Sequence, residues 1–162
     1  MVREASRILR PGGVFVFGEM LRLAVFHPTV VDQNPRVAVP NFCTFYDLLN
    51  ERLRRHGIQH VSDSVPLRLG NIGTFSEITP IAYNLPIGSW HEDEYYRSIG
   101  RAYRSVLRRF MESVRLFILE MGIPPEELHN VYSQALRELV DANAHRLVTR
   151  YFTGFAIRAN GN

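Results

Sequence analysis

Apolar positions recur at two periods along this chain, and the period changes at recognisable punctuation. Val2, Ala5, Ile8 and Leu9 share one face at helical spacing. Pro11 stops that helix, and Gly12-Gly13 supplies a tight turn. Val14-Phe15-Val16-Phe17 is an all-apolar run, the pattern of a strand buried on both faces as in a parallel sheet. Gly18-Glu19 then marks the strand's carboxyl end, where open α/β sheets place their ligands. Residues 20–40 mix apolar positions with His27-Pro28 and Asn34-Pro35, which predicts a loop carrying at most a short helix.

Asn41 is positioned to cap a helix over Phe42 to His56. Phe42, Phe45, Tyr46, Leu49 and Leu53 form its apolar stripe. Arg52, Arg54 and Arg55 load its end, where cations suit the helix dipole, and Gly57 is a natural C-cap. Asp63 and Ser64 precede a short helix through Leu69, and residues 70–73 turn the chain. Phe75 to Leu85 predicts a strand that Pro80 confines to an edge or a bulge. Ser89 with Glu92 has capping-box spacing for a helix over residues 91–121, about 45 Å long if straight, with Gly100 as a bend. Gly122 and Pro124-Pro125 separate it from a second helix to about Ala142, so the two form a hairpin. Leu147 to Arg158 is apolar on both faces, which predicts an internal strand.

Composition narrows the class. Of 162 residues, 46% are hydrophobic and 22% charged, which is globular rather than disordered. A net charge of +3 does not by itself call for nucleic acid. The single cysteine, Cys43, permits no internal disulfide and reads as a small buried hydrophobe. No apolar run reaches membrane-span length and no signal peptide is legible. The expectation is an intracellular protein with no membrane and no nucleic-acid partner, cytoplasmic, with the nucleus as the alternative.

Three stretches resemble one family. The Leu9-Arg10-Pro11-Gly12-Gly13 turn between a helix and a buried strand is similar to the fifth-strand region of class I S-adenosylmethionine-dependent methyltransferases. Leu85-Pro86-Ile87-Gly88-Ser89-Trp90, the most specific stretch, closes a segment (IGTFSEITPIAYNLPIGSW) that resembles the sixth strand of the fungal, secondary-metabolism regulator type. Leu48 to Ile58 resembles the helix between those strands. The resemblance implies an α/β fold: the C-terminal half of a Rossmann-like methyltransferase domain, with about three mixed strands and a long helical hairpin. It assigns residues 1–19 to a helix and the fifth strand, 72–90 to the sixth strand, 91–142 to the hairpin and 146–158 to the last strand. That last strand is expected to run antiparallel between the other two.

The family's cofactor seat precedes these motifs in chain order. No G-x-G-x-x-G occurs, and Gly70-Asn71-Ile72-Gly73 does not follow a clear buried strand. The first helix has no capping residue before it, as though the chain started inside an element. The resemblance therefore implies S-adenosylmethionine for the full-length family, with no cofactor bound by this chain alone. The expected function is the acceptor-side portion of a methyltransferase, inactive in isolation. A non-catalytic remnant or protein-interaction module is the alternative.

The candidate residues each carry a plainer reading as well. Glu19 lines the substrate side of a pocket or is a solvated carboxylate. Trp90, Tyr95, Tyr96 and Tyr103 form an aromatic lid over the acceptor or are helix-spaced core. Arg97, Arg101, Arg104 and Arg108 make a basic stripe, either solvated or facing an acidic partner or phosphate. His56 and His60 have metal spacing, but Gly57 between them ends the helix, so no metal site is expected. No Ser-His-Asp arrangement is legible, and the catalytic residues and acceptor substrate stay unassigned. An open edge along Val14 to Phe17 is expected to invite self-association.

Overall fold

The computed structural model describes residues 2–31, 33–59 and 63–160. The elements in order are α1 (Val2–Ile8), β1 (Val14–Met20), β2 (Val25–Phe26), α2 (Pro35–Ala38), α3 (Pro40–Arg55), α4 (Val65–Gly70), β3 (Phe75–Pro86), α5 (Glu94–Leu119), α6 (Pro125–Val140), α7 (Ala142–His145) and β4 (Leu147–Arg158). The fold is mixed α/β. The sheet has four strands rather than three, because the short β2 arises within the stretch expected to be a loop. β4 is the central strand. β1 pairs with it antiparallel from Val14 opposite Ile157 to Met20 opposite Tyr151. β2 pairs antiparallel with its first two residues, and β3 also pairs with it. For β3, Ala159 N–H donates to Thr74 O near one end and Ile87 N–H to Leu147 O near the other, an antiparallel run. β4 thus runs antiparallel between β1 and β3 as expected, and the sheet is antiparallel rather than mixed.

The chain divides into two compact units that interleave in sequence. No linker composition marks them, and two of the four boundaries, at residues 83/84 and 149/150, cut through β3 and β4 themselves. The first unit comprises residues 1–21, 61–83 and 150–162. Its core is small: Phe17, Val65, Leu69 and Ala156, with Val2, Phe15, Phe75 and Ile78 packed around them. β1 is not buried on both faces. Phe17 is buried, but Val14 and Val16 are 53% and 70% exposed. A one-sided antiparallel strand with apolar residues on its open face has replaced the expected two-sided one. Ile8 is likewise exposed, and Ser6 takes the buried place on α1. Its hydroxyl bonds Thr74 at 2.6 Å and accepts from Arg158 Nη1 at 2.8 Å, so the polar group enters the core with its partners. Two glycines allow close approach in this unit. A Cβ on Gly18 would overlap the Tyr151 hydroxyl, and one on Gly154 would overlap Thr79 O and come within 2.7 Å of Phe17 Cζ.

The second unit, residues 22–60 and 84–149, holds the larger core. Phe42, Phe45 and Leu49 of α3, Met111 and Ile118 of α5, and Leu128, Ala135 and Leu139 of α6 are almost wholly buried there. α6 follows α5 through the Gly122 turn, yet it packs more extensively on α3 than on α5. Asn41 does not cap α3. The helix begins at Pro40, and the carboxylate of Glu138 on α6 accepts the N–H groups of Asn41 at 3.1 Å and Phe42 at 2.7 Å. A charge from another helix thus satisfies the first turn and complements its dipole. The far end of α3 follows expectation. Gly57 has φ +74°, Gly57 N–H donates to Arg54 O and Ile58 N–H to Leu53 O, which is a Schellman close. Arg52 does not serve that end. Its Nε donates to Phe117 O at 2.9 Å, its guanidinium lies 4.6 Å from the Phe117 ring and it pairs with Glu120, closing α5 instead.

Candidate functional site

The Leu85–Trp90 stretch leaves the sheet at Pro86 and turns onto α5. Ile87 enters the core and is 1% exposed. Gly88, at φ +92°, donates its N–H to Gly100 O on α5 at 3.0 Å. A Cβ on Gly100 would overlap Gly88 O. Gly100 is therefore a point of backbone-on-backbone packing. Ser89 N–H donates to Asn143 Oδ1 at 2.6 Å, and Trp90 Nε1 donates to Leu147 O at 3.0 Å. These bonds hold the indole in one place. The expected Ser89–Glu92 capping box does not form. Asp93 is the N-cap, its carboxylate accepting from Tyr95 and Tyr96 N–H, and the helix runs from Glu94 for 26 residues, about 39 Å. The helix begins five residues beyond Ser89, which places Ser89 too far upstream to cap its first turn.

Trp90 stands in a row of rings. The His27 ring lies 5.3 Å from it and the His91 ring 5.4 Å. Tyr96 is 4.6 Å from His91, and Tyr95 makes an edge contact with Tyr96 at 5.7 Å. A cleft of about 180 Å³ opens here, lined by His27, Thr29, Trp90, His91, Glu92 and Arg146. Thr29 N–H donates to His27 Nδ1 at 3.3 Å, and Asp93 N–H donates to His91 Nδ1 at 3.1 Å. Each neutral imidazole therefore keeps its proton on Nε2. Burial, then His91, then Arg146 hold the His27 pKa below the usual imidazole value of 6.5. Arg146 sits at φ +47°, a conformation few non-glycine residues adopt, and His27 N–H donates to its carbonyl at 2.9 Å. The cleft thus combines an aromatic face, one guanidinium, two N–H donors and the Glu92 carboxylate.

Of the five sequence candidates, Trp90 and Tyr96 come together in this aromatic row. Tyr95 joins only at its exposed end, 69% exposed. Tyr103 turns into the core, where burial pushes its pKa up and its hydroxyl bonds Thr149. Glu19 belongs to the first unit. It lies within β1 opposite Phe152 rather than beyond the strand's end, because β4 supplies ladder partners as far as Tyr151. Three members of the cleft, His27, Thr29 and Arg146, carried no functional signal in the sequence. They come from separate stretches, and only the β2–β4 pairing joins them; the His-Pro break at residue 27 was the one available hint.

The basic stripe divides. Arg97 and Arg101 both pair with Glu94, while Arg104 and Arg108 do not. His56 stacks on Phe117 at 5.2 Å, and His60 lies outside the described residues. Cys43 is buried, and burial raises its thiol pKa. Among the described residues no group of three or more His, Cys, Asp or Glu could hold a metal ion, and no helix is long and apolar enough to cross a membrane. None of the family models, curated proteins or solved structures compared with the chain matches it.

Proposed function

We propose that this chain is the acceptor-side part of a methyltransferase of the S-adenosylmethionine-dependent kind that its sequence resembles. The observation that carries the reading is the position of β4, with β1 and β3 both paired to it antiparallel. That is the order the resemblance implies for the fifth, last and sixth strands. The tight seating of Gly88 on Gly100 supports it further, because it gives the Leu-Pro-Ile-Gly-Ser-Trp stretch a physical role, that of fixing Trp90 at the cleft.

The described residues do not fit S-adenosylmethionine itself. A seat for it needs backbone N–H groups at a glycine turn leading from a strand into a helix. The turn at residues 70–73 leads from α4 into β3, the reverse order, and the Gly88 turn, which does lead from β3 into α5, has its Gly88 and Ser89 N–H groups already bonded to Gly100 O and Asn143 Oδ1. The proposed contribution therefore concerns the acceptor alone. A planar acceptor stacks on Trp90 and is oriented by it. An acceptor oxygen attacks best as an anion; Arg146 and the two Nε2–H groups stabilise negative charge there, against the opposing Glu92 carboxylate of the same cleft.

Trp90 is the only tryptophan, so its fluorescence reports on the cleft. Titrating the full chain with 4-hydroxybenzoate is expected to give a saturable change that Arg146→Gln weakens; no change with any planar phenol or carboxylate sinks the proposal. Calorimetry with S-adenosylmethionine is expected to show no binding, and a dissociation constant near 10 μM, about 7 kcal/mol, would reveal a cofactor seat. The second reading, a non-catalytic interaction module, draws on the open apolar face of β1 at Val14 and Val16, against which a second copy would pack. Concentration-dependent association that Val16→Lys abolishes would favour it.

A further inference from the structure

A groove of about 390 Å³ lies between α5 and α6 and shares no lining residue with the aromatic cleft. Its floor is Leu136, Leu139 and Val140, and Val140 is 64% exposed. Its rim is basic, with Arg104 and Arg108 on α5 and Arg137 on α6. Arg104 and Arg108 are one helical turn apart on one face. Among the described residues none of these three arginines forms an ion pair with a carboxylate. Neighbouring arginines on the same helix are neutralised: Arg97 and Arg101 by Glu94, and Arg115 by Glu112. Arg137 bonds only the neutral side chain of Gln134, at 3.3 Å. Cationic charge is thus concentrated beside an apolar floor and left uncompensated within the described chain.

We propose that this groove docks an acidic amphipathic helix of a partner protein. Leu136 and Val140 are themselves one turn apart, so the floor and the rim repeat at the same helical pitch of about 5.4 Å. A partner helix with carboxylates at i and i+4 beside a leucine stripe matches both rows at once. Charge complementarity of this kind steers encounter and fixes register. Nucleic acid fits less well, because the arginines are interleaved with aliphatic residues and no aromatic platform is present for bases. The proposal does not depend on the methyl-transfer reading, since the groove and the cleft share no lining residue.

The test is fluorescence anisotropy of the full chain with a labelled helical peptide that carries glutamates at i and i+4 beside leucines. Saturable binding that weakens with salt is expected. The double variant R104Q and R108Q is expected to weaken it about tenfold, from the loss of two exposed charge pairs. The control double variant R97Q and R101Q, whose arginines already face Glu94, is expected to bind as the parent does. Absence of binding, equal loss in both double variants, or equal binding of a scrambled peptide would each overturn the proposal. So would equal binding of a single-stranded oligonucleotide or an anionic vesicle.

Discussion

The two units of this chain are built from similar residues and reach different degrees of burial. In the second unit three helices close on one another, and Phe42, Phe45, Leu49, Met111, Ile118, Leu128, Ala135 and Leu139 are each 2% exposed or less. In the first unit one sheet face meets two short helices, and the fully enclosed side chains among the described residues are few. Val14 and Val16 there are as apolar as anything in the larger core and stay open. Apolar content thus does not decide burial; a second layer does. A helix can be covered by neighbours on several sides, whereas a sheet face needs a layer laid across it.

The widest test of that contrast compares two phenylalanines. Phe45→Ala is expected to lower global stability by about 3–5 kcal/mol, because its ring is enclosed and the cavity cannot collapse. Phe17→Ala is expected to move the urea midpoint less and instead to speed amide exchange within β1, where opening is local. Equal midpoint shifts for the two would break the comparison.

Gly100→Ala sharpens it within the second unit. The new Cβ meets the Gly88 carbonyl, which is backbone and cannot turn aside. A loss of about 2–3 kcal/mol is expected, with Trp90 fluorescence shifting as the turn above it moves. A silent Gly100→Ala would mean that the seating of Gly88 on α5 is wrong.

Glu138→Ala removes the carboxylate that takes two N–H groups of α3's first turn. The expected cost is about 1–2 kcal/mol by denaturant titration, and Glu138→Gln should restore part of it. Indifference to Glu138→Ala would show that water serves that helix end as well.

The smallest effect concerns pH. His27 has its pKa lowered in the folded chain, by burial first and then by His91 and Arg146. The unfolded chain therefore binds the proton more readily, so stability is full above about pH 6.5 and declines as pH falls below it toward the folded value. His27→Gln is expected to flatten this part of the profile. Unchanged slope in the variant would assign the acid sensitivity to groups other than His27.

What the sequence determined by itself was local. The β4 limits, the α3 stripe, the Gly57 close, the edge strand at Pro80 and the break at Gly122 are all written in residues close together in the chain. Periodicity and the special backbone freedom of glycine and proline act over a turn or two, so such features need no tertiary information. The tertiary structure decided the rest. The cap of α3 came from Glu138, almost a hundred positions away, and Ser89 found Asn143 rather than its own helix. The cleft drew His27 from β2's end, Trp90 from the turn after β3 and Arg146 from the residue before β4. The basic stripe looked uniform until Glu94 neutralised half of it. Burial, caps and charge pairing depend on which surfaces meet, and a one-dimensional pattern records the faces of an element without recording what will cover them.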